Sequence, residues 1–122
     1  MTVSEAIARV DTLKPNDISL DEKLRWLSEL DGRIKLEVID THEGGGEVGF
    51  RPYTQDNTDA VLLVPFPHDD IYIHWLSMQI SYVQGELKKY NAAAALYNSA
   101  LSGFKQYYNS VHMPRQARKR VF

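Results

Sequence analysis

A chain of 122 residues with 43% hydrophobic side chains has the size of one domain and enough apolar surface to fold on its own, burying roughly two-thirds of what its unfolded form exposes. The absence of cysteine excludes a disulfide framework, a thiolate zinc site and a cysteine nucleophile, and it fits a reducing compartment. The net charge of -2 hides a polarity: residues 1–70 carry 7 basic and 15 acidic side chains, whereas residues 71–122 carry 7 basic ones and the single acid Glu86. Two fields of opposite sign suit subunits meeting head to tail, unless folding mixes them over one surface. No apolar run approaches the roughly 18 residues of a membrane span. The opening Met1-Thr2-Val3-Ser4-Glu5 has an acid and a helix cap where a signal peptide has basic and then apolar residues. The expectation is a soluble, intracellular protein with no membrane partner.

In chain order, Thr2 and Glu5 have capping-box spacing, and Val3, Ile7, Val10 and Leu13 recur at helical period until Pro15 and Asn16. A second box, Ser19 with Glu22, opens a longer helix. Its apolar stripe is Trp26, Leu27, Leu30, Ile34 and Val38, with Lys23, Arg33 and Lys35 between. Asp31-Gly32 interrupts it, Gly32 costing about 1 kcal/mol against Ala. Gly44-Gly45-Gly46 stops the helix.

From Gly44 to Pro67 the helical period is lost among glycines, Pro52, Pro65, Pro67 and a polar stretch from Gln55 to Asp59. Val48–Tyr53 and Ala60–Val64 are candidates for an irregular hairpin. Connections in compact domains usually run about 4–6 residues, so this one reads as a projecting arm that orders on binding. A third helix follows with apolar residues on two adjoining faces. One face is Ile71, Trp75, Met78 and Tyr82; the other is Tyr72, Leu76, Ile80, Val83, Leu87 and Tyr90. That pattern predicts the central helix of a bundle. The fourth helix, after Asn91, turns Ala93, Leu96, Tyr97, Ala100, Leu101, Phe104, Tyr108 and Val111 inward, and Pro114 ends it. The predicted fold is all-α: about four helices in residues 1–113, a long loop at 44–67, and a basic tail at 114–122.

His68, Asp69, Asp70 and His74 are the one cluster with metal or acid–base potential, His42 and Glu43 being the nearest candidates to complete it. Asp69 and Asp70 equally suit a helix start, as cap and dipole partners. Gly44-Gly45-Gly46 lacks the Lys-Ser/Thr of a phosphate loop, and no serine has a nucleophile elbow. No catalytic residue, metal or cofactor is assigned. The tail bearing Arg115, Arg118, Lys119, Arg120 and Phe122 has three readings: phosphate contact, a solvated end, or a segment docking on an acidic neighbour.

Three blocks carry a resemblance. They are Glu22-Lys23-Leu24-Arg25-Trp26-Leu27-Ser28-Glu29-Leu30-Asp31-Gly32; Leu62-Leu63-Val64-Pro65-Phe66-Pro67 running into Tyr72-Ile73-His74-Trp75-Leu76; and Lys89-Tyr90-Asn91 through Tyr107-Tyr108-Asn109. Together, over nearly the whole chain, they resemble the head–tail connector, or head-completion adaptor, family of tailed bacteriophages and prophages of Gram-positive bacteria. The resemblance implies a structural, non-enzymatic helical adaptor that joins the portal protein after DNA packaging and extends its channel toward the tail. It implies self-assembly into a ring, characteristically a dodecamer, contact with the next connector or tail-completion protein, and residence at the head–tail interface of the virion after assembly in the host cytoplasm. The segment from His112 to Phe122 corresponds to the portal-reaching end, so Arg115, Arg118, Lys119, Arg120 and Phe122 become portal or subunit contacts. The loop, with Phe50, Arg51 and Tyr53, becomes a contact to neighbours. Non-specific contact with packaged DNA stays open. The competing readings are a small DNA-associated packaging accessory or regulator, for which the middle helices offer few exposed Lys or Arg, and a metal-dependent enzyme built on His68, Asp70 and His74.

Overall fold

The computed structural model describes residues 1–115. Four helices, α1 (Val3–Leu13), α2 (Leu20–Ile34), α3 (Asp70–Val83) and α4 (Leu87–Val111), form the all-α bundle that the periodicity predicts. No strand occurs among the described residues. Bridge pairing is limited to Thr2 with Val61 and His42 with Pro114, so the expected hairpin between 48 and 64 does not form.

Helix α1 starts on the predicted box: Thr2 Oγ1 accepts from the Glu5 amide, and Glu5 Oε1 accepts from the Thr2 amide at 2.8 Å. Two more of its first-turn donors are met by the long connection, the Val3 amide by the Ala60 carbonyl and the Ser4 amide by that of Thr58. Ser19 caps α2 by accepting from the Glu22 amide. All five stripe residues of α2 are buried. Beyond Ile34 the helix widens into a π turn, Lys35–Ile39, which turns both Val38 and Ile39 inward and leaves Leu36 out. Lys35 binds Asp40 and the Gly45 carbonyl across this turn. A Cβ on Gly45 would lie 2.0 Å from the Ile39 carbonyl oxygen, so the middle glycine of the triplet is required by close backbone approach.

Helix α3 is central, packing along α4 and touching α1 and α2. It ends earlier than the apolar pattern suggests. Gly85 takes φ 72, the Glu86 amide reaches the Ser81 carbonyl and the Gly85 amide that of Tyr82, a Schellman stop. Consequently α4 begins at Leu87, and Tyr82, Val83 and Leu87 are exposed at the turn instead of lining a core face. Aromatic pairs step away from this turn in antiparallel order: Tyr82 with Tyr90, Trp75 with Tyr97, His68 with Phe104. Helix α4 buries only Ala93, Phe104 and Tyr108 fully, and Leu96 and Val111 face outward, contrary to expectation. The reason is that α4 lies on one side of the bundle with nothing described beyond it.

The interruption in α2 proves to be the hub of the core. Asp31 is fully buried, its Oδ2 accepting from Tyr53 Oη at 2.5 Å and from the Leu63 amide at 3.1 Å, its Oδ1 from Tyr72 Oη at 2.6 Å. Tyr72 Oη in turn accepts from the Val64 amide. The loop is therefore no projecting arm over this stretch: Tyr53, Leu62 and Val64 belong to the core. Desolvation raises the Asp31 pKa above the usual carboxylate value, more than the two phenols and the Leu63 amide lower it, and the same burial raises both tyrosines.

Replacing Asp31 by Ala leaves three donors without their acceptor in a dry interior, and urea unfolding is expected to show a loss of about 3 kcal/mol or more. The pH dependence has an unusual sign. Because the folded-state pKa of Asp31 is raised, its contribution is complete below the ordinary carboxylate value and declines as pH rises through the folded value. The stability gap between the parent and Asp31→Asn should shrink from pH 3 upward; a gap that widens with pH would contradict this assignment.

Candidate functional site

His68, Asp69, Asp70 and His74 do not converge. His68 lies against the Tyr107 ring at 4.8 Å, Asp69 meets the N-terminal amino group at 3.7 Å, and Asp70 pairs with His74 at 3.6 Å one turn on. Asp69 makes no side-chain cap to α3. No group of three or more His, Asp or Glu side chains with metal-holding geometry occurs among the described residues.

His42, the proposed completing ligand, is buried elsewhere. Its Nδ1 lies 2.6 Å from the Val38 carbonyl and its Nε2 2.6 Å from Asn109 Oδ1, with Tyr108 edge-on to the ring. It clamps the end of α4 to the end of α2. The chain after α4 returns to the same place. The Glu43 amide donates to the Met113 carbonyl, the Arg115 amide to that of Thr41, and Arg115 Nε to that of His42. Arg115 is thus docked through its backbone and Nε on its own bundle. Arg118, Lys119, Arg120 and Phe122 lie outside the described residues.

Of the loop candidates, Phe50, Arg51 and Tyr53 share one groove with Val61 and Leu63. Tyr53 is only 7% exposed and serves Asp31, so it is a core residue and not a contact residue. Phe50 packs edge-on to Tyr53 and near Gly32, and Arg51 is exposed. Lys23, expected on the polar face of α2, is buried with its Nζ 2.7 Å from Asp11, tying α1 to α2. Lys14 Nζ similarly binds Glu86 at 2.8 Å, and Lys14 and Lys89 together lower the Glu86 pKa.

Sequence reasoning misses two groups of exposed apolar residues near the ends of α3; others, among them Leu13, Leu36, Leu96 and Val111, are spread over the rest of the bundle. Beside the α3–α4 turn stand Tyr82, Val83 and Leu87, with Lys88 and Lys89 on the adjoining turn of α4; at the start of α3 stand Phe66 and, on the same connection, Val61. No residue type marks them; only the Schellman stop at Gly85, which ends α3 early, leaves the first group outside. No helix among the described residues is long and apolar enough to cross a membrane. No protein-family model, curated protein or solved structure matches the chain.

Replacing His42 by Phe keeps a ring against Tyr108 but removes both nitrogens from their polar partners. Urea denaturation should show a loss of about 2 kcal/mol, and proteolysis after α4 should accelerate as the segment 112–115 loses its seat.

Proposed function

We propose that this chain is a structural adaptor of a tailed phage or prophage, binding the portal ring and extending the head–tail channel during virion assembly. Its partners on this reading are the portal protein, further copies of itself in a ring, and the next connector or tail-completion protein; no side chain is given a catalytic role. The observation that carries the reading is the docking of the segment after α4. Backbone bonds from Glu43 and Arg115, together with Arg115 Nε, dock the chain on the bundle at Arg115, the last residue before the sequence that carries Arg118, Lys119 and Arg120. A basic segment that follows a docked stretch of chain suits an arm that engages a larger partner. Sequence resemblance and the polarity of charge along the chain support the same reading, since repeated weak contacts on a preformed ring add up to firm attachment.

The DNA-associated alternative finds less support. Helix α3 contains neither Lys nor Arg, and it runs antiparallel to α4 instead of crossing it at the wide angle of a helix-turn-helix.

The adaptor reading requires a cognate portal protein, and sedimentation of the purified chain with preformed rings of it provides the test. Saturable co-sedimentation is expected, weakened at least about tenfold when Arg118, Lys119 and Arg120 are all changed to Glu. Unchanged binding by that variant would remove the tail from the mechanism, and no binding by the folded parent would overturn the adaptor reading itself.

A further inference from the structure

We propose that the chain binds a second copy of itself head to tail, with Phe66 of one copy seated in the pocket beside the α3–α4 turn of the next. Phe66 is the most exposed large apolar side chain among the described residues, at 83%. It does not sit on a slack loop. The Val64 amide before it is held by Tyr72 Oη, and the His68 amide after it by the Pro65 carbonyl. A phenyl ring presented on a fixed turn is pre-organised for insertion, and so loses little freedom on docking.

The pocket is a cavity of about 310 Å³ with largely apolar walls, lined by Ser81, Tyr82, Gly85, Glu86, Leu87 and Tyr90. Its rings, Tyr82 and Tyr90, stand 5.9 Å apart, and Tyr82 and Leu87 are 72% and 70% exposed. Knob and pocket occupy opposite ends of α3, separated by its 14 residues, roughly 20 Å of helix rise. They cannot meet within one chain. The charges match across the same two ends: Asp70, with its side chain 62% exposed although His74 stands 3.6 Å away, follows Phe66 by four residues, and Lys88, exposed, follows Leu87. Glu86 at the pocket does not spoil this match, being held by Lys14 and Lys89. At the Phe66 end the N-terminal amino group is already engaged by Asp69. Because the two surfaces are different, the contact is heterologous, and it closes a ring or runs on as a filament. It supplies the subunit joint that the adaptor reading calls for and rests on that reading for its purpose alone.

The test uses the full chain without portal protein, in sedimentation equilibrium at low salt up to millimolar concentration. The parent should self-associate, and Phe66→Ser and Leu87→Glu should each lower the association constant about thirtyfold. Both changes are at exposed positions, and unchanged helical circular dichroism and melting confirm folding. The decisive measurement is the mixture: Phe66→Ser retains the pocket and Leu87→Glu retains the knob, so together they should form a one-to-one complex that grows no further. Lys88→Glu should weaken association and be rescued by a partner carrying Asp70→Lys. A parent that stays monomeric throughout, single variants that associate like the parent, or a mixture that behaves as the sum of its parts would each overturn the proposal. Portal co-sedimentation by the two single variants keeps the outcomes apart, since it reports on the adaptor reading and not on the joint.

Discussion

One buried carboxylate organises this fold. Asp31 sits in the middle of α2 with no cation beside it among the described residues, and its two oxygens collect donors from Tyr53, Leu63 and Tyr72, three points on otherwise separate stretches of chain. Burying such a group is unfavourable unless its lone pairs are filled, and here short, strong bonds from phenols fill them. The consequence is geometric. A connection of more than twenty residues, low in helical character, is pinned to the bundle at Tyr53 and again at Leu63 and Val64. Removing the acceptor would leave several donors stranded at once, so the cluster stands or falls as a unit.

From that hub the rest of the arrangement follows. The pinned connection supplies carbonyls to the first turn of α1 and delivers the chain to the start of α3. Helix α3, apolar nearly all round, is then covered by α1 and α2 on one side and by α4 on the other. Among the described residues helix α4 has no such cover, and its outer face mixes Asn, Ser, Gln and Lys with Leu96 and Val111. A second clamp, His42 between Val38 and Asn109, holds its far end. Two polar residues, each buried among apolar neighbours, thus fix what apolar packing alone would leave loosely defined.

Much of the fold was legible in the residues. The capping box at Thr2, the cap at Ser19 and the stripe from Trp26 to Val38 are local signals, and local signals set helix starts and buried faces. The stop at Gly85 was overlooked because Leu87 and Tyr90 continue the apolar period across it; a left-handed glycine outranks periodicity. Asp31 and Lys23 were misjudged for a different reason. Sequence spacing put Asp31 next to the buried stripe, but nothing in it announces two tyrosines arriving from positions 53 and 72, or Asp11 waiting for a lysine. The interaction surfaces were the least legible. Arg115 reads as part of a basic run and turns out to be seated on Thr41 and His42, and Tyr53 reads as an interface aromatic and turns out to be core. Phe66 carries no signal at all until the fold leaves it outside.

The way α1 begins has a bearing on synthesis. Its leading amides are taken up by carbonyls of Thr58 and Ala60, and the Leu62 amide returns to Met1. During synthesis α1 therefore lacks the acceptors of its leading amides until residues 58–62 have followed, and its buried side chains wait longer still for α3. In that interval nascent α1 can already pack against α2, to which the ion pair of Lys23 and Asp11 joins it. Maturation of this bundle is in that sense paced from its middle, since α1 is secured only once the connection behind it has been made.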